Sequence, residues 1–67
     1  MFDVEAVFTY HAPKGDQAQR YEDIRKSARV LAYLINTECP ESREKSLALT
    51  NLQQAIMWAN ASIAINE

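Results

Sequence analysis

Two long runs of apolar residues at alternating spacings of three and four flank one break, Cys39-Pro40, and this arrangement leaves the chain very few folds. Before the break, Tyr21, Ile24, Ala28, Leu31 and Ile35 share one face of a helix predicted over roughly residues 16–37. After it, Leu49, Leu52, Ile56, Ala59 and Ile63 repeat the spacing and predict a second helix over roughly residues 40–65. Asp16 is read as the N-cap of the first helix, its carboxylate accepting from the amides of the following turn. Pro40 suits the first position of the second helix, where its missing N–H costs nothing, and Glu41 then falls in the first turn. So short a connection makes the helices antiparallel neighbours. The expected fold is all-α, an antiparallel helical hairpin forming one domain over residues 1–67.

A second break, His11-Ala12-Pro13-Lys14-Gly15-Asp16, precedes the hairpin. Upstream of it, Phe2, Val4, Ala6, Phe8 and Tyr10 alternate like a strand, while Val4, Val7 and Phe8 fit one face of a short helix. A lone strand would have no sheet to join. A short helix from about Asp3, packed across the hairpin, is therefore the expectation.

A domain of 67 residues buries a limited part of its surface and normally needs a disulfide, a structural metal or oligomerisation. Cys39 is the only cysteine and His11 the only histidine, which removes an internal disulfide and any Cys/His zinc spacing. Self-association remains. It agrees with a second apolar face on each helix: Val30 and Tyr33, with Lys26 one turn earlier, and Met57, Trp58, Ala61 and Ile65. The N-terminal segment is long enough to cover one of these faces, not both. An exposed patch holding Trp58 marks an interface.

No Ser/His/Asp or Cys/His set, metal cluster or phosphate-cradling glycine loop is present, so neither an enzyme nor a cofactor is expected. A net charge of −2 argues against DNA as a partner, since duplex binders need a broad phosphate-neutralising surface. No stretch has the length of a membrane-spanning helix. A lone cysteine, and an opening segment without a basic region ahead of a long apolar run, point to a reducing, cytoplasmic setting.

Five of the seven basic residues, namely Lys14, Arg20, Arg25, Lys26 and Arg29, nevertheless fall together. Tyr10, His11 and Lys14 place a ring, an imidazole and an ammonium ahead of a helix N-terminus, where a base could stack and a phosphate be held. On spacing alone the plainer reading is stronger: Tyr10 packs, His11 satisfies a backbone group and Pro13-Lys14-Gly15 is a turn. Arg25 and Lys26 sit three and four residues after Glu22, and Arg20 four after Asp16, as ordinary solvated helix ion pairs do. Lys26 is less easily dismissed because it borders Val30 and Tyr33. Asn60, Ser62 and Asn66 are read as satisfying helix-end or interface hydrogen bonds, with Asn60 alternatively lining a polar pocket.

The phrase Phe8-Thr9-Tyr10-His11-Ala12-Pro13, continuing through Gly15-Asp16-Gln17 to Arg20-Tyr21 and Ile24-Arg25, resembles the phage anti-CBASS cyclic-oligonucleotide sponges. Leu47-Ala48-Leu49, followed by Ala55-Ile56-Met57-Trp58-Ala59-Asn60-Ala61 and Ile63-Ala64, extends the resemblance over nearly the whole chain. It implies a compact helical protomer assembled into a homohexamer in the cytoplasm of the infected bacterium. It also implies that cyclic dinucleotides of the cGAMP type are sequestered between protomers, with cyclic trinucleotides held by some members at separate sites. The family's dinucleotide site uses an N-terminal tyrosine and a basic residue of the first long helix. Those roles fall to Tyr10, and to Lys26 or Arg25, with His11 and Lys14 as further donors. The rival reading is an adaptor or inhibitor that offers Met57, Trp58 and Ile65 to a host protein.

Overall fold

A computed structural model of the protein describes residues 2–67 and contains three helices, α1 (Val4–Phe8), α2 (Gln17–Glu38) and α3 (Arg43–Asn66). No strand occurs among the described residues. The opening segment resolves as a helix because Asp3, in extended conformation, accepts from the Ala6 N–H at 3.1 Å and caps it.

Proline sets the hairpin turn, though not as a first helical residue. Pro40 disfavours helical backbone at the residue before it, and Cys39 accordingly sits at φ −101°, ψ 135° and closes α2. The helix that follows does not begin at Pro40, as the sequence reading expects. Ser42 is extended at φ −170°, and its hydroxyl oxygen accepts from the Lys45 N–H at 3.1 Å, so the serine cap fixes the start at Arg43. Glu44, not Glu41, then occupies the first turn.

At the other end of α2, Asp16 stands at the N-cap position without a side-chain capping bond. Gln17 instead ties the turn before the helix to its first residue. It is buried, and its Oε1 accepts from the Lys14 N–H at 3.2 Å, while Gly15 turns the chain at φ 58°, a left-handed conformation open to glycine. No atom lies within 4 Å of where a Cβ would stand, so backbone conformation and not crowding calls for glycine here.

The α2–α3 seam follows the predicted pattern on α3, where Leu49, Leu52, Ile56 and Ala59 are half-buried and Ile63 is buried. On α2 the inner line is Tyr21, Ile24, Ala28, Ala32 and Ile35. Leu31 stands at the edge of the seam, 44% exposed, because the smaller Ala32 takes the inner place. The described chain measures 42 × 27 × 14 Å. A thickness of 14 Å is little more than one helix diameter of about 10–12 Å, so the molecule is a single layer. The outer faces therefore remain open: Val30, Tyr33, Leu34, Met57 and Trp58 are all exposed. The short helix forms as expected but does not pack across the hairpin. No residue of α1 is buried, and Phe2, Val4, Val7 and Phe8 face solvent.

Lys45 locks the turn. Its side chain is only 7% exposed, and its ammonium donates to the Asn36 carbonyl at 2.9 Å and to the Glu41 carboxylate. A cation is thus set against the carbonyl end of α2, where the helix dipole favours it. Replacing Lys45 with Met retains the buried stem and removes the donors. Lys45→Met is expected to cost about 1–3 kcal/mol, measured by urea unfolding at fixed protein concentration, and unchanged stability would show that the lock is dispensable.

Candidate functional site

The residues singled out by sequence fall into two groups. Tyr10, His11 and Lys14 lie in the irregular segment between α1 and α2, and Arg25 and Lys26 lie on α2. Lys26 is nine residues beyond Gln17, the first of α2 (26 − 17), or roughly 14 Å along the axis at about 1.5 Å per residue. No hydrogen bond or ion pair among the described residues joins the two groups.

Each member has a distinct state. Tyr10 is 83% exposed, and among the described residues its ring pairs with no other aromatic, the one such pair being Phe2 with Phe8. His11 is half-buried, and its Nε2 donates to the Ala6 carbonyl at 2.6 Å, so the imidazole staples the segment back onto α1. That is the backbone-satisfying role spacing alone favours. Lys14 contributes its N–H to Gln17, and its ammonium lies close enough to Glu67 to help hold that carboxyl ionised.

Arg25 and Lys26, indistinguishable by sequence, separate here. Arg25 Nη1 donates to Glu22 Oε2 at 2.8 Å, so its charge is already answered. Lys26 is exposed and makes no ion pair or hydrogen bond among the described residues, although Glu22 is also four residues before it. It shares the outer face of α2 with the exposed Val30 and Tyr33. Arg29, one turn after Arg25, is likewise without an ion pair among the described residues.

Arg20 makes a contact the sequence did not suggest. Besides Asp16 at 3.6 Å, it reaches Glu67 with two parallel bonds, Nη1 to Oε1 at 2.7 Å and Nη2 to Oε2 at 2.8 Å. This fork joins the start of α2 to the end of α3 and so closes the open end of the hairpin. The Arg20 bond holds the Glu67 carboxyl below its ordinary 4.5, against partial desolvation, with Gln17 and Lys14 acting in the same sense. Forty-seven residues separate the partners, so no local spacing could reveal the pair. Lys45 escaped notice for a related reason, since its burial depends on where α2 ends. Asn66 donates to the Ser62 carbonyl at 3.0 Å, whereas the Asn60 Oδ1 is shut from solvent and accepts no hydrogen bond among the described residues.

Grooves run along both sides of the seam. One, of about 330 Å³, has Ala28, Leu49, Leu52 and Ile56 in its floor and Arg25 and Arg29 at its rim. Another, of about 400 Å³, opens past Ile24, Ser27 and Leu31.

A family model described as Acb2/Tad1, hairpin domain, matches residues 3–64. The chain belongs to the Acb2/Tad1 hairpin family. This is a family of phage anti-CBASS cyclic-oligonucleotide sponges, binding proteins that sequester cyclic nucleotides and are not known as enzymes. Comparison with curated proteins and with solved structures gives no match. The Acb2/Tad1 hairpin corresponds to α2 and α3, and the matched span also takes in α1 and the segment bearing Tyr10. No helix among the described residues is long and apolar enough to cross a membrane.

Electrostatic closure by Arg20 carries a pH signature. A carboxyl whose folded value is depressed contributes stability above its unfolded value and loses it as pH falls through the folded one. The stability difference between wild type and Glu67→Gln is therefore expected at neutral pH and should vanish on acidification below the usual carboxylate range. Unfolding curves recorded across that range test it, and a difference independent of pH would sever the link to Glu67 ionisation.

Proposed function

We propose that this protein binds and sequesters cyclic di- and trinucleotide messengers of the CBASS system, in the cytoplasm of the infected host, and so keeps them from their effectors. The protomer is one domain over residues 1–67 and works as a homo-oligomer, a hexamer, with cyclic dinucleotides of the cGAMP type held between protomers. Tyr10 stacks on a base and Lys26 neutralises phosphate, with Lys14 and His11 as secondary contacts.

The observation that carries this reading is the state of Lys26: an exposed cation without a partner among the described residues, bordered by exposed apolar side chains. Arg25 is the weaker choice because binding through it would first cost the Glu22 pair. Tyr10 offers a free ring face, and aromatic stacking tolerates any base. A cyclic dinucleotide has two bases and two phosphates in near two-fold arrangement. A two-fold boundary between protomers presents one ring and one cation from each side. His11 retains Nδ1 for a ligand, since Nε2 is committed to Ala6.

A second reading draws on Met57 and Trp58, 62% and 74% exposed, beside the half-buried Ile65. A face of this kind suits an adaptor or inhibitor that docks on a host protein. Light scattering on the eluting protein separates the two, since a monomer with a solvated Trp58 favours the adaptor.

Calorimetric titration with cyclic di- and trinucleotides, against linear dinucleotide controls, tests the main reading. Saturable binding of about one dinucleotide per two chains, as a shared two-fold site requires, is expected. Tyr10→Ala and Lys26→Ala should each weaken it by tenfold or more while leaving the oligomer mass unchanged. Flat heats across the panel would remove the sponge assignment, and unaltered affinity in the double variant would remove the site.

A further inference from the structure

Two polar side chains are buried among the described residues, Lys45 and Gln17. Lys45 closes the hairpin turn. Gln17, 4% exposed at the first position of α2, directs its amide to the segment that bears Tyr10. Its Oε1 accepts from the Lys14 N–H at 3.2 Å while its own backbone N–H donates to the Lys14 carbonyl at 3.1 Å, so one residue clasps both peptide groups of Lys14. The ring so closed turns through the left-handed Gly15. The same amide lies close enough to Glu67 to help hold that carboxyl ionised, and Glu67 is gripped in turn by Arg20. Gln17 thereby joins the turn to the ends of both long helices.

Ahead of the clasp the chain has little freedom. His11 Nε2 donates to the Ala6 carbonyl at 2.6 Å, and only Ala12 and Pro13 separate that anchor from Lys14. Pro13 fixes its own φ and disfavours helical backbone at Ala12. No residue of α1 is buried, so apolar packing does not orient this arm on the hairpin, and the clasp on Lys14 does. We infer that Gln17 is a positioning residue for nucleotide binding: it fixes the arm carrying Tyr10, His11 and Lys14 in the orientation that meets the ligand, without touching the ligand itself. This rests on the proposed stacking role of Tyr10 and names the group that holds the ring ready. An arm fixed in advance loses less freedom on binding, so the clasp raises affinity through preorganisation.

The test compares the full-length wild type with two variants. Gln17→Met fills much the same space and removes the amide. Gly15→Ala leaves Gln17 in place and strains the turn at φ 58°, with nothing within 4 Å of the added carbon to clash, and it carries the comparison by itself if Gln17→Met does not fold. Without nucleotide, the Lys14 amide should exchange with solvent roughly tenfold faster in each variant, while the Leu52 and Ile56 amides of the seam keep their wild-type rates. Titration with a cyclic dinucleotide of the cGAMP type should show affinity lowered roughly fivefold in each. In a Tyr10→Ala background the same changes should add less than about twofold, because the clasp acts through that ring. A released Lys14 amide with unaltered affinity, an equal loss with and without Tyr10, or a Lys14 amide still protected in the variants would overturn the positioning role while leaving nucleotide binding standing. A wild type that binds no cyclic nucleotide would overturn the proposed function and the positioning role with it.

Discussion

Two helices lying side by side can each bury one stripe against the other, and a layer about one helix thick has nowhere to put a second. That limit governs this chain. The stripe on α3 runs from Leu49 to Ile63 and meets a flatter one on α2 built around Ala28 and Ala32. The alanines let the helices approach, but they contribute little apolar area of their own. Ile63 is the one apolar side chain to reach burial among the described residues, and a large share of the remaining hydrophobic surface faces outward. Such a surface is out of keeping with an isolated soluble domain.

Polar groups hold the two ends of the layer where apolar packing is thin. At the turn, Lys45 bridges a carbonyl of α2 to Glu41; at the open end, Arg20 grips Glu67 with a planar fork. The turn lock is buried on its lysine side, so breaking it leaves a carbonyl without its donor. The fork is exposed and contributes through geometry and charge more than through desolvation. Both are made by cations whose charge is already answered by a carboxylate. Charge partnering thereby narrows the basic residues from seven to those whose fields still reach solvent, Lys26 and Arg29 foremost.

On the proposed reading, membership of the Acb2/Tad1 hairpin family gives this leftover chemistry a purpose. Sequestration asks for affinity without turnover. A ring that stacks, a cation that neutralises and a surface that closes around the ligand are sufficient. In the proposed assembly the same solvent-facing apolar area that leaves the protomer marginal becomes the wall of the ligand site, so folding, assembly and binding draw on one set of contacts. Ligand binding would then stabilise the assembled form by mass action.

The helices and their order were legible in the sequence because three-and-four spacing is a local property, and so was the turn, which Pro40 imposes on its own neighbour. Local signals also placed the ends of α2 within a residue. They misplaced the start of α3, since Ser42 and Pro40 are both good helix openers and only the formed cap shows which one acts. The candidate site was half legible. Exposure on an outer face could be anticipated for Lys26, whereas spacing favoured a packed Tyr10 and the ring is exposed; which of Arg25 and Lys26 keeps a free charge depends on the rotamer through which Glu22 answers one of them. Helix α1 could be read as a short helix from about Asp3 because a lone strand had no sheet to join, and the Asp3 cap that opens it appeared only in the structure. Sequence by itself determined the elements, their polarity and the excess of apolar surface, because these depend on neighbours a few residues apart. Tertiary structure decided that Arg20 is spent on Glu67 and Lys45 on the Asn36 carbonyl, because those pairings form between residues brought together only when the hairpin closes.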